Sequence, residues 1–228
     1  MNTTISENIK KIREEIDRAA LKAGRDPGEI TLMAVSKTKP VESAVLAAKS
    51  GVILGENYVQ EFKEKFEAEP ELPWHFIGHL QTNKVKYIVG KAKMIHSVDS
   101  LHLAEKINSE SEKRGIVTDC LAEINSGCEE SKFGLTFSES LYIIKEMAEF
   151  KNIRLRGLMT VAPVCQSAED NREIFKKMKD TFLEIKKDVP SFDTLSMGMS
   201  ADFTVAVEEG ASIVRVGTAI FGERNYTK

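Results

Sequence analysis

Thr31-Leu-Met-Ala-Val-Ser-Lys-Thr-Lys-Pro40 is an apolar run that stops on a lysine. Leu32 to Val35 reads as a short strand bounded by polar residues and by Pro40, whose fixed φ suits the opening of a helix. Period-two alternation sends Met33, Val35 and Lys37 to one side and Leu32, Ala34 and Ser36 to the other. If both faces of this strand are covered, an ammonium sits where the run ends, directed at the interior. Such a group must be paired, reach solvent, or be converted to another group such as an imine. The plain alternative, that Lys37 or Lys39 snorkels at a strand end, stays open at this point.

Outward from this run the chain alternates. An amphipathic helix over 5–22 precedes it, with Ile5, Ile9, Ile12, Ile16 and Ala19/Ala20 on one side, closed by Gly24 and the Asp26-Pro27-Gly28 turn. After the strand comes a helix from Pro40 to Ser50. Further strands are expected at 52–55, 74–77, 93–97, 116–124, 153–158, 192–195 and 212–216. Helices are expected between them, the clearest being 100–114, 137–149 and 169–187. Eight strands roughly 25–30 residues apart, each followed by a helical stretch, require parallel strands with crossover helices. The count favours a closed (β/α)8 TIM barrel with an extra amino-terminal helix expected to cover its amino-terminal side. An open doubly wound sheet is the other arrangement with this alternation. Its dinucleotide-binding version is weakened because no Gly-x-Gly-x-x-Gly follows the first strand.

Composition narrows the classes. With 228 residues and 42% hydrophobic side chains the chain can bury one sizeable core, so 1–228 is expected to be a single domain. The 32 basic and 35 acidic residues are interspersed and nearly cancel, which argues against a nucleic-acid partner. The amino terminus lacks an apolar leader and the apolar runs are strand-sized, so a cytoplasmic protein without membrane contact is expected. Cys120, Cys128 and Cys165 are odd in number and lack metal-ligand spacing, which suits a reducing compartment and offers no metal site.

The unusual polar residues fall at the carboxyl ends of the expected strands. They are Lys37, Glu56, Asn57, His75, His79, Gln81, Ser97, Glu123, Asn125, Met159, Thr160, Ser196 to Ser200, and Arg215 to Thr218. In a barrel these ends converge on one rim, where active sites of this architecture lie. In Ile213-Val-Arg-Val216 the valines alternate with Arg215, so a guanidinium points inward if the valines face the helices. Closure makes the last strand a neighbour of the first and brings Lys37 and Arg215 together. Two buried cations imply an anionic or electron-rich ligand. The alternative is an arginine paired to a core carboxylate such as Glu123 or Glu56. Gly217-Thr218 and Gly198-Met-Ser200 each open a helix with freed N–H groups and hydroxyls, an arrangement suited to phosphate. A phosphate at one end and a lysine-reactive carbonyl at the other describe pyridoxal phosphate. Arg215 would then face the ring nitrogen as a donor that does not give up its proton.

Seven stretches carry a family resemblance. They are Ala34-Val-Ser-Lys-Thr-Lys-Pro40, Gly55-Glu-Asn-Tyr-Val-Gln60, His75-Phe-Ile-Gly-His-Leu-Gln-Thr-Asn-Lys84, Ser131-Lys-Phe-Gly134, Gly157-Leu-Met-Thr160, Ser196-Met-Gly-Met-Ser200 with Asp202, and Val214-Arg-Val-Gly-Thr-Ala-Ile-Phe-Gly222. In order and over most of the chain, this set resembles the pyridoxal phosphate homeostasis proteins of the YggS/PROSC type, which look like the alanine racemase N-terminal barrel without its second domain. The resemblance implies an internal aldimine on Lys37, and a phosphate cup that includes Ser200, Gly217 and Thr218. It further implies Arg215 at the pyridine nitrogen and Asn57 near the ring. Met199 is counted with the cofactor-contacting residues as a packing group.

The resemblance also implies a regulator of free pyridoxal phosphate without catalytic turnover; a reversible holder that loses the cofactor to competing free amino acids or to apo-enzymes is expected, and a monomer, because no additional apolar edge is evident. The enzymatic alternative is a weak amino-acid racemase or another pyridoxal-dependent enzyme, and a third class is a structural module without cofactor. Racemisation needs a group on each face of the substrate. In the racemases of this look the second one comes from a further domain, and only 6 residues follow Gly222 here. Tyr58 and His79 are read as rim packing or hydrogen-bonding residues rather than as that base.

Overall fold

A computed structural model of the chain describes residues 4–127, 133–164 and 166–223. The run at 31–35 is strand β1 (Thr31–Val35), and it lies parallel to both β2 (Ile53–Glu56) and β8 (Ile213–Val216). The remaining strands are β3 (Trp74–Phe76), β4 (Met94–Val98), β5 (Thr118–Ile124), β6 (Ile153–Thr160) and β7 (Thr194–Ser196). Together they close a barrel in sequence order. The pairing of β8 with β1 decides for the (β/α)8 barrel, because an open sheet would leave two free edges.

Alternation sorts the side chains as expected from β1. Leu32, Ala34, Leu54, Trp74, Phe76, Val214 and Val216 pack in the main core between strands and helices. Met33, Val35 and Ile213 form a separate cluster with Ile53 and Ile77, inside the barrel. Met94, Leu121 and Met159 fill another part of that interior.

The outer layer contains α2 (Val41–Ala48), α3 (Val59–Ala68), α4 (Leu101–Arg114), α5 (Phe137–Ala148), α6 (Arg172–Lys186), α7 (Phe203–Glu208) and α8 (Thr218–Phe221). A 3-10 helix, Thr82–Tyr87, stands where β3 crosses to β4. Local chemistry sets several ends. Ser100 Oγ accepts from Leu103 N to start α4, and Gly115 at φ 63 stops it in the left-handed conformation glycine tolerates. Thr136 and Glu139 form a capping box at α5.

The amino-terminal helix α1 (Ile5–Lys22) differs from expectation in its place. It packs against α7, α8 and α2 in the outer layer, and Asn8 Nδ2 donates to Ile220 O at 2.9 Å beyond the end of β8. Among the described residues β8 is followed by one helical turn, α8, and α1 fills the outer layer between α7 and α2 beside it. Burial of Ile9, Ile12 and Ile16 contributes about 1.5–3 kcal/mol each.

No helix among the described residues is long and apolar enough to cross a membrane. The same residues contain no cluster of three or more His, Cys, Asp or Glu side chains that could hold a metal. Cys120 is buried, and burial pushes its thiol pKa up. Cys128, Ser131, Lys132 and Cys165, singled out in the sequence, lie outside the described residues.

Candidate functional site

A cleft of about 330 Å³ is lined by all seven residues expected to meet a cofactor: Lys37, Asn57, Met199, Ser200, Arg215, Gly217 and Thr218. Val35, Ile77, Val161 and Phe221 supply apolar wall. Its volume is that of a small-molecule site. Lys39 also lines it, with Nζ donating to Phe221 O at 3.1 Å and Glu223 O at 2.8 Å. Among the described lining residues, the titratable side chains are Lys37, Lys39 and Arg215, all cationic, so an anionic ligand is favoured.

Lys37 follows the last residues of β1 in a turn of unusual conformation. Thr38 sits at φ 62, and among the described residues it is the only non-glycine with positive φ. A β-branched residue there costs on the order of 1–2 kcal/mol, which the surroundings must offset. Lys39 N donates to Ser36 O at 3.1 Å, and Thr38 N donates to Glu61 Oε2 at 2.7 Å.

Arg215 is buried and inward, as alternation requires, with Met33 as its register partner on β1. Its Nη1 donates to Ser196 Oγ at 2.7 Å and its Nη2 to Thr160 O at 2.6 Å. Burial lowers its pKa to about 10, while Glu123 and Asp202 pull the other way. The expected carboxylate alternative is therefore not met by contact, since among the described residues no acid lies within ion-pair distance of Arg215.

The polar chain continues through the barrel interior. His96 Nδ1 lies 3.2 Å from Ser196 Oγ, and His96 Nε2 lies 2.9 Å from His75 Nδ1. Desolvation lowers the pKa of His75 to about 4 and that of His96 well below the usual value, so both are neutral. Arg215, Ser196, His96 and His75 thus form one hydrogen-bonded chain through the interior.

Two loops also line the cleft. Gly217 N faces Ser200 Oγ at 3.4 Å, and a Cβ built on Gly217 would stand 3.3 Å from Val35 O, so glycine keeps this backbone close to β1. Met199 N is already engaged by Asp202 Oδ1 at 2.6 Å. Asp202 Oδ2 accepts from Asn171 Nδ2 at 2.8 Å, and both residues are buried. Met199 thus lines the cleft while its N–H fixes the loop. Asn57 is held by a close approach, since Gly78 packs where a Cβ would stand 1.9 Å from Asn57 O.

Several rim expectations are corrected. Glu56 faces outward, fully buried, with Oε1 bonded to Ser36 Oγ at 2.6 Å and to Lys65 Nζ at 2.7 Å. His75 lies inside the barrel, where Asp119 and Lys93 at the starts of β5 and β4 influence its charge. Ser97 is buried and donates to Gly78 O. His79 stacks on Phe133, bonds Asp99 Oδ2 at 3.1 Å and does not line the cleft; nor does Tyr58, which is half exposed. Lys65, Glu61, His96 and Asn171 were not singled out in the sequence. Only His96 had a signal there, sharing the inward parity of Met94.

The residues present fit pyridoxal phosphate. The cleft combines a primary amine, a charged donor that keeps its proton, a hydroxyl-and-glycine end and apolar walls for a flat ring. The barrel and this cleft define a class, and the alanine racemase N-terminal domain family matches the chain over residues 5–225. The Aquifex aeolicus (strain VF5) pyridoxal phosphate homeostasis protein is 43% identical over 96% of this chain and 98% of its own. The protein of that name from Escherichia coli (strain K12) is 38% identical over 98% of each. The structure of PipY from Synechococcus elongatus PCC7942 with PLP bound has a TM-score of 0.82 at 30% identity, covering 96% of this chain and 100% of PipY. The chain belongs to the pyridoxal phosphate homeostasis protein family, built on the alanine racemase N-terminal barrel.

Proposed function

We propose that this chain, 1–228 as one domain, binds pyridoxal 5'-phosphate reversibly and serves its homeostasis in the cytoplasm as a monomer. The observation that carries this reading is the convergence of Lys37 and Arg215 with the 199–200 and 217–218 loops on one cleft. The PLP-bound PipY structure and the names of the curated relatives support it. Pyridoxal phosphate brings an aldehyde that condenses with primary amines and a phosphate that carries negative charge.

Lys37 Nζ is the amine assigned to the aldehyde. Ser200 Oγ and the N–H groups of Gly217 and Thr218 are assigned to the phosphate, Arg215 to the ring nitrogen, Asn57 and Met199 to the ring's surroundings. Arg215 keeps its proton at neutral pH and so orients without acting as an acid. Proton transfer at an amino-acid α-carbon requires suitable groups on two faces. Among the described residues the titratable lining is two lysines and an arginine, which supports holding and release over turnover. Free amino acids, as competing amines, displace Lys37 and loosen the cofactor for apo-enzymes to accept.

The test is reduction of the loaded protein with borohydride followed by peptide mapping. The label is expected on Lys37, and Lys37→Ala is expected to abolish it and the visible absorption band. A label on another lysine, or none, would overturn the assignment.

A further inference from the structure

The turn that carries Lys37 is held from behind by α3. The Glu61 oxygen that accepts Thr38 N–H at 2.7 Å also meets Lys65 Nζ at 3.2 Å. Lys65 Nζ donates to Ser36 O at 2.8 Å and to Glu56 Oε1 at 2.7 Å, and it is buried. The backbone on both sides of Lys37 is thus tied to one network of charges. Glu61 and Lys65 do not line the cofactor cleft; they line a groove on the other side of the turn, with Thr38 and Pro40. The network also carries a cost, because Glu56 Oε2 is buried without a hydrogen-bond partner among the described residues and burial raises the carboxyl's pKa. A left-handed threonine persists only where its surroundings over-determine it, and this network grips the turn at Thr38 N and Ser36 O.

We propose that Glu61, braced by Lys65, is a positioning residue that keeps the 36–38 turn in its left-handed conformation and so sets how tightly Lys37 holds the aldehyde of pyridoxal phosphate. This inference rests on the proposed function. Without Glu61, Thr38 relaxes toward an ordinary conformation and Lys37 leaves its bearing, while the 199–200 and 217–218 loops, to which neither Glu61 nor Lys65 is hydrogen-bonded among the described residues, keep theirs. Aldehyde capture and phosphate binding therefore separate.

Two ligands read the separation in the full chain: pyridoxal phosphate and pyridoxine 5'-phosphate, which carries an alcohol in place of the aldehyde. Glu61→Ala is expected to weaken pyridoxal phosphate about tenfold and speed its loss to a scavenging amine, with pyridoxine phosphate held within about twofold of wild type. Glu61→Gln keeps an acceptor for Thr38 N–H and is expected to fall between. Thr38→Gly added to Glu61→Ala is expected to recover most of the loss, because glycine adopts positive φ without a clamp. An equal fall for both ligands, no fall, or no recovery with Thr38→Gly would overturn the inference. If wild type binds pyridoxine phosphate but gives no reducible label on Lys37, the proposed function fails first and this inference with it. Circular dichroism of each variant verifies that the barrel is folded, so that a general loss of structure registers as the equal-fall outcome.

Discussion

Arg215 shows how a buried charge is held and still left available. Its contacts are neutral, Ser196 Oγ and Thr160 O, so the guanidinium is fixed without being cancelled. Its effect is felt at Glu123, whose pKa is pushed up to about 7, first by burial and then by Asp99, with Arg215 opposing both. A carboxyl raised in the folded state contributes stability that is complete below its unfolded pKa and lost as pH rises through about 7. Glu123→Gln carries no such titration. Between about pH 5 and pH 8, wild type is expected to lose on the order of 2 kcal/mol of unfolding free energy that the variant keeps, discounting for partial exposure. Urea unfolding at the two pH values checks this, and parallel pH slopes would contradict it. The neighbouring histidines do not confuse the comparison. Their lowered pKa values give stability that is complete above about 6.5 and lost as pH falls toward 4, equally in both proteins.

At the scale of elements, the loop after β3 positions Asn57 by absence of a side chain. Gly78→Ala would place a Cβ 1.9 Å from Asn57 O, against backbone that has no rotamer to change. We expect a loss on the order of 2 kcal/mol in thermal unfolding and weaker cofactor binding, since β2's exit must shift. Wild-type values for both would show that the loop yields freely. What the sequence disclosed follows from the reach of each interaction. Period-two parity is local, so the inward course of Met33, Val35 and Arg215 was readable from two short strands. Glu56 ends its strand and looked like a rim residue, yet with Gly55 inward it faces α3, and only the tertiary partner Lys65 makes a buried glutamate tolerable there. The place of α1 was not readable because it depends on α8 being a single turn. Glu61 was missed for the same reason: its partner Thr38 lies across an αβ connection, and φ 62 at a threonine leaves no trace in the sequence.

For the whole molecule, closure is what creates the site: Lys37 and Arg215 belong to opposite ends of the chain and meet because β8 pairs with β1. A ring of strands also transmits a local wedge, since no free edge is available to absorb it. Gly157 is where such a wedge would act most directly. It pairs with Thr194 across β6 and β7 at φ 153, and a Cβ there would stand 1.7 Å from Thr194 O. Glycine within a strand at such a spot marks close backbone approach. Beyond β7 lie the loop of Met199 and Ser200 and the seam with β8, where Ser196 pairs with Ile213, Met197 N donates to Ile213 O and Arg215 N donates to Gly198 O. Gly157→Ala is therefore expected to cost on the order of 3 kcal/mol in stability and to weaken pyridoxine phosphate as well as pyridoxal phosphate. That pattern is opposite to Glu61→Ala, which spares the ligand without an aldehyde. Thermal unfolding together with both dissociation constants checks it. A destabilised Gly157→Ala protein that binds pyridoxine phosphate normally would mean that the phosphate loops are held by α6 and α7 through Asn171 and Asp202 rather than by the closed ring.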